Sequence, residues 1–118
     1  MADQILVESL EISSVIGVPE AERTRAQRLT VSLTLEPVRD FRDLDDAIEN
    51  AVDYAAVTEF VKALGAARPR RLIETLADEI AGALLVHFPL RAVNVELRKF
   101  ILPDTAFVAA RVRREKPL

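Results

Sequence analysis

The chain has 118 residues, half of them hydrophobic and 30% charged, which predicts one globular domain spanning residues 1–118. A net charge of -3 argues against a general nucleic-acid-binding protein, and the lack of cysteine with a single histidine excludes a thiolate or multi-histidine zinc site. Neither a signal pattern nor an apolar run of membrane-spanning length occurs, so we expect a cytoplasmic protein with no membrane partner.

The first third of the chain predicts two strands separated by a polar turn. Residues 3–18 mix alternation with apolar patches and predict a strand that ends near Gly17. The polar stretch 19–27 opens with proline and predicts a turn or loop. Residues 28–37 alternate strictly between polar and apolar side chains, which predicts a strand with one buried and one polar face, ended by Pro37. The apolar members of that pattern are Leu29, Val31, Leu33 and Leu35.

The middle of the chain predicts two helices. Residues 38–53 are acidic and show no clear period. From Tyr54 the apolar spacing becomes helical, with Asp53 as the expected N-cap and Gly65 as the expected C-cap. Residues 73–88 continue with apolar side chains at i, i+3, i+4 and i+7, and Pro89 ends this second amphipathic helix.

The last third of the chain returns to alternation, over residues 92–102 and again over residues 107–114. The order strand, strand, helix, helix, strand, strand predicts an α+β fold, with a mostly antiparallel four-stranded sheet and two helices on its apolar face. The polar face must then meet solvent or a wet interior. A sheet that joins copies of itself into a barrel would satisfy this and would remove the edge strands.

Four side chains are candidates for function, although each has a simpler explanation. Glu74 lies near a helix start, where the helix dipole favours a carboxylate without any ligand. Lys99 is in phase with the apolar face of its strand, so its ammonium must reach solvent, pair with an acid or lose its charge. Tyr54, the only tyrosine, could pack in the core, and Glu22 could be an ordinary loop residue.

The remaining polar features favour structural explanations. His87 is expected to sit at the C-terminal end of the second helix, where a cation or donor is stabilised. Two basic clusters are typical of a solvated loop and a charged strand end rather than of phosphate sites. They are Arg68, Arg70 and Arg71, and Arg111, Arg113, Arg114 and Lys116.

Three segments and a late lysine, taken in order, resemble the dihydroneopterin aldolase family. The segments are IGVPEAERTRAQ at 16–27, LDDAIENAVDYAAV at 44–57 and RRLIETLADEIA at 70–81, and the lysine is Lys99 at the end of a predicted strand. The resemblance implies a tunnelling fold, in which subunits join into barrel rings, often stacked as an octamer, with active sites between neighbouring subunits. It implies a retro-aldol cleavage of dihydroneopterin to hydroxymethyl-dihydropterin and glycolaldehyde in folate biosynthesis, with neither a metal nor another cofactor.

The same resemblance implies roles for individual residues. Glu74 matches the carboxylate that anchors the pterin ring, with helix-start amides near Leu72 and Ile73 available to the ring carbonyl. Lys99, Tyr54 and Glu22 match the catalytic residues, the tyrosine being supplied from a neighbouring subunit. Secondary contributions to substrate binding are expected from Val18, Asp53 and Gln27.

One departure from the family pattern leaves alternatives open. Phe100 follows the lysine where family members often have proline, which puts the substrate preference in question. A dihydroneopterin or dihydroneopterin-triphosphate epimerase would share the fold and the site, and Arg23, Arg25 or Arg98 could bind the triphosphate. A non-catalytic pterin-binding member of the fold is a further alternative, whereas a zinc-dependent relative is disfavoured because only His87 is present.

Overall fold

The computed structural model describes residues 2–117, and they form four strands and two helices. The strands are β1 (Ile5–Ser14), β2 (Gln27–Pro37), β3 (Leu90–Lys99) and β4 (Val108–Glu115), and the helices are α1 (Tyr54–Ala66) and α2 (Ile73–His87). The strands form one antiparallel sheet in the order β1-β2-β3-β4. Along the sequence, both helices come between β2 and β3. The predicted α+β architecture is therefore confirmed. None of the helices within residues 2–117 is long and apolar enough to cross a membrane.

The core lies between one face of the sheet and the two helices. The predicted apolar face of β2 is fully buried, since Leu29, Val31, Leu33 and Leu35 are at most 2% exposed. The same sheet face continues through β3, and the helices cover it with their apolar stripes. The largest helix contributions to this core are Val57 and Val61 from α1 and Leu76, Ile80 and Leu84 from α2.

The opposite face of the sheet is polar, and its acidic and basic side chains pair with one another. Glu36 accepts a hydrogen bond from Arg113 at 2.9 Å, and Glu96 accepts from Arg111 at 2.7 Å and from Arg98 at 3.0 Å. These hydrogen bonds lower the pKa of both glutamates, against the opposing effect of burial. We call these five residues the sheet-face network. The basic side chains of β4 are therefore largely paired rather than simply solvated.

Within residues 2–117 the sheet has two open edges, because β1 and β4 are its outer strands and each pairs with one other strand. The edge strand β1 carries a bulge between Val7 and Leu10, where Ser9 adopts a φ of 54° and its amide donates to Ser32 Oγ at 3.0 Å. The described residues measure 50 × 25 × 25 Å. Within them, each outer strand has one row of backbone groups that is not paired in the sheet, and such edges can pair with another chain.

Several predicted boundaries were wrong, for identifiable reasons. β1 ends at Ser14, before Gly17, because the chain then leaves β2 and Ile16 pairs with Arg70 in an isolated parallel bridge. Gly65 is not a C-cap, since α1 continues to Ala66 and Gly65 is buried where an added Cβ would lie 3.0 Å from the side chain of Ile12. The third strand, β3, ends at Lys99, so residues 100–102, which were predicted to continue its alternation, lie outside it.

The polar and acidic connections contain short 3-10 helices that the sequence pattern did not reveal. One, Glu20–Arg23, lies inside the predicted turn, and two others, Phe41–Asp43 and Ile48–Asn50, lie in the segment without a clear period. Asp53 caps α1 as expected, because its side chain accepts a hydrogen bond from the amide of Ala56 at 3.1 Å. His87 is the last residue of α2, as predicted, and its ring centroid lies 5.0 Å from that of Phe60.

Candidate active site

A cleft of about 310 Å³ opens at the end of the sheet where β3 finishes. The turn after β1, the start of α2 and the β3–β4 connection each supply one of its walls. We call it the Lys99 cleft. Its lining residues are Val18, Pro19, Glu22, Arg71, Leu72, Ile73, Glu74, Lys99, Ile101, Leu102 and Val108.

Lys99 and Glu22 form an ion pair in the floor of the Lys99 cleft. Lys99 is the last residue of β3 and pairs with Leu29 in the sheet register, so the strand directs its side chain toward the buried side. The side chain is 11% exposed and its Nζ donates to Glu22 Oε1 at 2.7 Å. Pairing with an acid is thus how this lysine is accommodated. A lysine and a carboxylate in direct contact beside an open cavity can pass a proton to and from a bound molecule.

The position of Glu22 depends on Gly17. Gly17 has a φ of 152°, a conformation that other residues rarely adopt, and an added Cβ would lie 2.4 Å from the Cβ of Glu22. The turn is closed by Arg23, whose guanidinium donates to the carbonyls of Gly17 at 2.6 Å and Val18 at 2.7 Å. The short helix Glu20–Arg23 then presents Glu22 toward Lys99.

The start of α2 offers a carboxylate and helix-start amides to the same cleft. Glu74 lies in the first turn, and within residues 2–117 its side chain has no hydrogen-bond or ion-pair partner. Leu72 occupies the N-cap position and provides no side-chain cap. The first amides of a helix lack partners within the helix, so they remain suitable donors for a ligand oxygen. This wall can therefore accept two hydrogens and donate to an oxygen at the same time.

Arg70 is an important residue that the sequence pattern did not identify. We expected it in a solvated loop, but it is 4% exposed and its guanidinium pairs with Glu79 of α2. Burial, together with the neighbouring charge of Arg68, lowers the pKa of Arg70. No local signal in the sequence distinguishes Arg70 from its exposed neighbours Arg68 and Arg71, because the distinction arises only from tertiary packing.

Three of the predicted site residues do not line the Lys99 cleft. Tyr54 is 61% exposed, which rules out the simpler explanation that it packs in the core, and Asp53 caps α1 beside it. Gln27 donates to the carbonyl of Ile16 at 2.7 Å. It lines an adjoining cavity of about 270 Å³ that also contains Glu22, Arg25 and Phe100. Among the described residues, the Lys99 cleft therefore contains the predicted ring-binding residues, the lysine and one catalytic acid, but not Tyr54.

Among the residues that the structure describes, no group of three or more histidine, aspartate or glutamate side chains is arranged to hold a metal ion. The polar groups that line the cleft are the ammonium of Lys99, the guanidinium of Arg71, the carboxylates of Glu22 and Glu74, and the helix-start amides.

Comparisons of the sequence and of the structure with known proteins identify the same family. The sequence model of the dihydroneopterin aldolase family matches residues 5–114. A dihydroneopterin aldolase of Bacillus subtilis is 34% identical over 103 residues, which cover 86% of this chain and 83% of that protein. The structure of Escherichia coli dihydroneopterin aldolase in complex with neopterin superposes with a TM-score of 0.88 at 27% identity, covering 95% of this chain and 98% of that one. A Burkholderia dihydroneopterin aldolase bound to guanine gives a TM-score of 0.80 at 28% identity, with coverage of 98% and 93%.

Proposed function

The chain belongs to the dihydroneopterin aldolase family, and we propose that it cleaves dihydroneopterin to hydroxymethyl-dihydropterin and glycolaldehyde, a step of folate biosynthesis. The observation that carries this proposal is the Lys99–Glu22 ion pair, at 2.7 Å, in the same cleft as the unpaired carboxylate of Glu74. The cleft thus combines a group that can hold a heterocycle with groups that can move protons.

Glu74 would bind the ring. A pterin presents an amino group and a ring N–H side by side, and a carboxylate can accept both in a bidentate pair. The helix-start amides near Leu72 and Ile73 would donate to the adjacent ring carbonyl. Guanine has the same arrangement of amino group, ring N–H and carbonyl, which agrees with its presence in the Burkholderia relative.

Lys99 and Glu22 would handle the protons of the reaction. Cleavage begins when the hydroxyl on the leaving carbon loses its proton, after which the carbon–carbon bond breaks and its electron pair moves into the pterin ring. Glycolaldehyde departs, and a proton returned to the remaining carbon gives the hydroxymethyl group. Since Lys99 is buried against Glu22, the pair can accept the first proton and supply the second, directly or through water.

We further propose that the site is completed by a second copy of the chain in a ring, either a tetramer or a stacked octamer. Tyr54 is the family's remaining catalytic position, yet it is exposed and lies outside the Lys99 cleft. The free edges of β1 and β4 would pair between copies, which would place the sheet-face network on the inner wall. The expected result is a homo-oligomer by light scattering, and a mixture of Lys99→Ala and Tyr54→Phe subunits that regains activity absent from either variant alone.

The epimerase alternative receives less support from the geometry. Of the arginines considered for a triphosphate, Arg23 is engaged with two backbone carbonyls, and Arg98 is engaged with Glu96 and lies 4.2 Å from the ring centroid of Phe107. Only Arg25 remains beside Glu22, in the adjoining cavity. A non-catalytic binding role would not require the buried Lys99–Glu22 pair.

The test is product analysis after incubating the purified protein with dihydroneopterin. We expect glycolaldehyde and hydroxymethyl-dihydropterin in equal amounts, formed in the presence of a metal chelator as well as in its absence. Formation of an epimer alone, or no turnover despite pterin binding, would contradict the proposal.

A further inference from the structure

Arg70 lies at the junction of the elements that form the Lys99 cleft. It is the residue two positions before the α2 N-cap and four before Glu74. Its backbone joins the turn after β1, because its amide donates to the carbonyl of Val15 at 3.0 Å and its carbonyl accepts from the amide of Gly17 at 3.1 Å. The main chain at Arg70 therefore connects the Gly17–Glu22 wall of the cleft to the α2 wall.

The side chain of Arg70 connects this junction to both helices. Its Nε donates to Glu79, which lies further along α2 and also pairs with Arg68. Its terminal nitrogens donate to backbone carbonyls at the end of α1 and in the loop that follows, those of Leu64 at 3.0 Å, Gly65 at 3.4 Å and Arg68 at 2.9 Å. A planar guanidinium satisfies these acceptors in fixed directions, which a lysine ammonium cannot reproduce.

From this geometry we propose that Arg70, held by Glu79, is a positioning residue that sets the distance between the ring-binding end of α2 and the Glu22–Lys99 pair. This inference rests on the proposed function, because it assigns the positioning role to the same cleft. Arg70 itself does not line the cleft, so it acts through the residues that do.

The location of these contacts predicts which kinetic constant changes. Substitution of the guanidinium leaves the backbone bonds of Arg70 to Val15 and Gly17 in place, so the turn that holds Glu22 keeps its position. The start of α2 loses its side-chain connection to α1, so Glu74 and the helix-start amides become less well ordered. Pterin binding should weaken, while proton transfer in the bound complex should continue.

The experiment compares Arg70→Lys and Glu79→Gln with Arg113→Lys, which disturbs an arginine–glutamate pair on the far face of the sheet, in which Glu36 is buried and Arg113 is partly exposed. For the first two variants we expect KM and the Kd for neopterin to rise about tenfold with kcat within about twofold of the wild type, as expected when binding of the substrate and of the transition state weaken equally. Arg113→Lys should lower the midpoint of thermal unfolding without changing KM or Kd.

Three results would overturn the inference. These are an unchanged KM and Kd in both Arg70→Lys and Glu79→Gln, an equal rise in the Arg113→Lys control, and complete unfolding of both variants, which would make the contact a requirement of the fold. Amide hydrogen exchange of residues 72–75 gives a measurement that needs no substrate, and it should accelerate in both variants. If the wild type neither binds nor cleaves pterins, the proposed function fails, whereas the exchange measurement still tests the connection between α1 and α2.

Discussion

The sheet-face network and the Lys99 cleft both contain buried or half-buried charged side chains. The two regions differ in how many hydrogen-bond partners those side chains have. In the network, each glutamate accepts hydrogen bonds from at least one arginine, and these bonds lower the pKa of Glu36 and Glu96. In the cleft, Lys99 and Glu22 have a single contact with each other, and Glu74 has no partner within residues 2–117. A charge whose hydrogen-bonding capacity is already used stabilises the fold, whereas a charge with remaining capacity is available to a ligand.

Substitution of Lys99 should give the largest functional effect, so it is the strongest test of the difference between the Lys99 cleft and the sheet-face network. Lys99→Ala removes the proton-transfer group, and we expect kcat to fall by about a thousandfold, within the range for loss of a general acid or base. The Kd for neopterin should change little, because Glu74 and the helix-start amides remain. The matched control is Lys62→Ala, since Lys62 is an exposed lysine paired with Glu59 on α1. Glycolaldehyde release measures kcat, and wild-type turnover in Lys99→Ala would contradict the assignment.

Substitution of Glu74 tests whether the unpaired carboxylate binds the ring. Glu74→Ala removes a bidentate acceptor, and we expect the Kd for neopterin to rise by at least about 100-fold, since each of the two hydrogen bonds to a charged group contributes about 1.5–3 kcal/mol. Thermal stability should be nearly unchanged, because the side chain has no partner within the described chain. Glu96→Ala should show the reverse, with lower stability and an unchanged Kd. Equal neopterin binding by wild type and Glu74→Ala would remove the ring-anchor role.

Substitution of Gly17 connects backbone conformation to the catalytic pair. Gly17→Ala places a Cβ against Glu22 at a backbone conformation that alanine rarely adopts, so we expect a loss of about 1–3 kcal/mol in the free energy of unfolding. Displacement of Glu22 should also lower kcat. Gly82→Ala is the control, because an added Cβ there meets nothing within 4 Å and alanine favours helix. An equal free energy of unfolding for Gly17→Ala and wild type would show that the close approach is not required.

The smallest expected effect is the pH dependence contributed by the sheet-face network. Because the folded pKa of Glu36 and Glu96 is lowered, their contribution is fully present above the ordinary glutamate pKa of about 4.3 and is lost as the pH falls through the folded value. Each pair should contribute less than about 1 kcal/mol, since Arg111 and Arg113 are largely exposed. Urea unfolding between pH 7 and pH 3 should therefore show a shallower acid loss in Glu36→Gln than in wild type. An identical pH dependence would contradict the pairing.

The fold was predictable from sequence because its strongest signals are periodic. The alternation of Leu29 to Leu35 fixed the orientation of β2, and the apolar stripe after Ile73 fixed α2, both of which bury large side chains. The same alternation placed Lys99 on the buried face, although it could not show that Glu22 would pair with it across 77 positions of the chain. The termini of elements were less predictable, because Gly65 is buried by packing against Ile12 rather than used as a cap.

The candidate site was only partly predictable, because its residues are brought together by tertiary contacts. Six of the residues to which the family resemblance gave roles line one cleft, namely Val18, Glu22, Leu72, Ile73, Glu74 and Lys99. Arg70 was missed because its role depends on Glu79 and on carbonyls of another helix, none of which forms a recognisable local motif. Local pattern allowed Tyr54 to pack in the core, but it is 61% exposed, and only the family resemblance gave it a role in the site.

The most direct test of the central claim is a crystal structure of the protein with neopterin bound. We expect the amino group and adjacent ring N–H of the ligand within hydrogen-bond distance of the Glu74 carboxylate, and its hydroxylated side chain directed toward Lys99 and Glu22. A ligand bound instead on the polar face of the sheet, among Glu36, Glu96 and Arg113, would contradict the account.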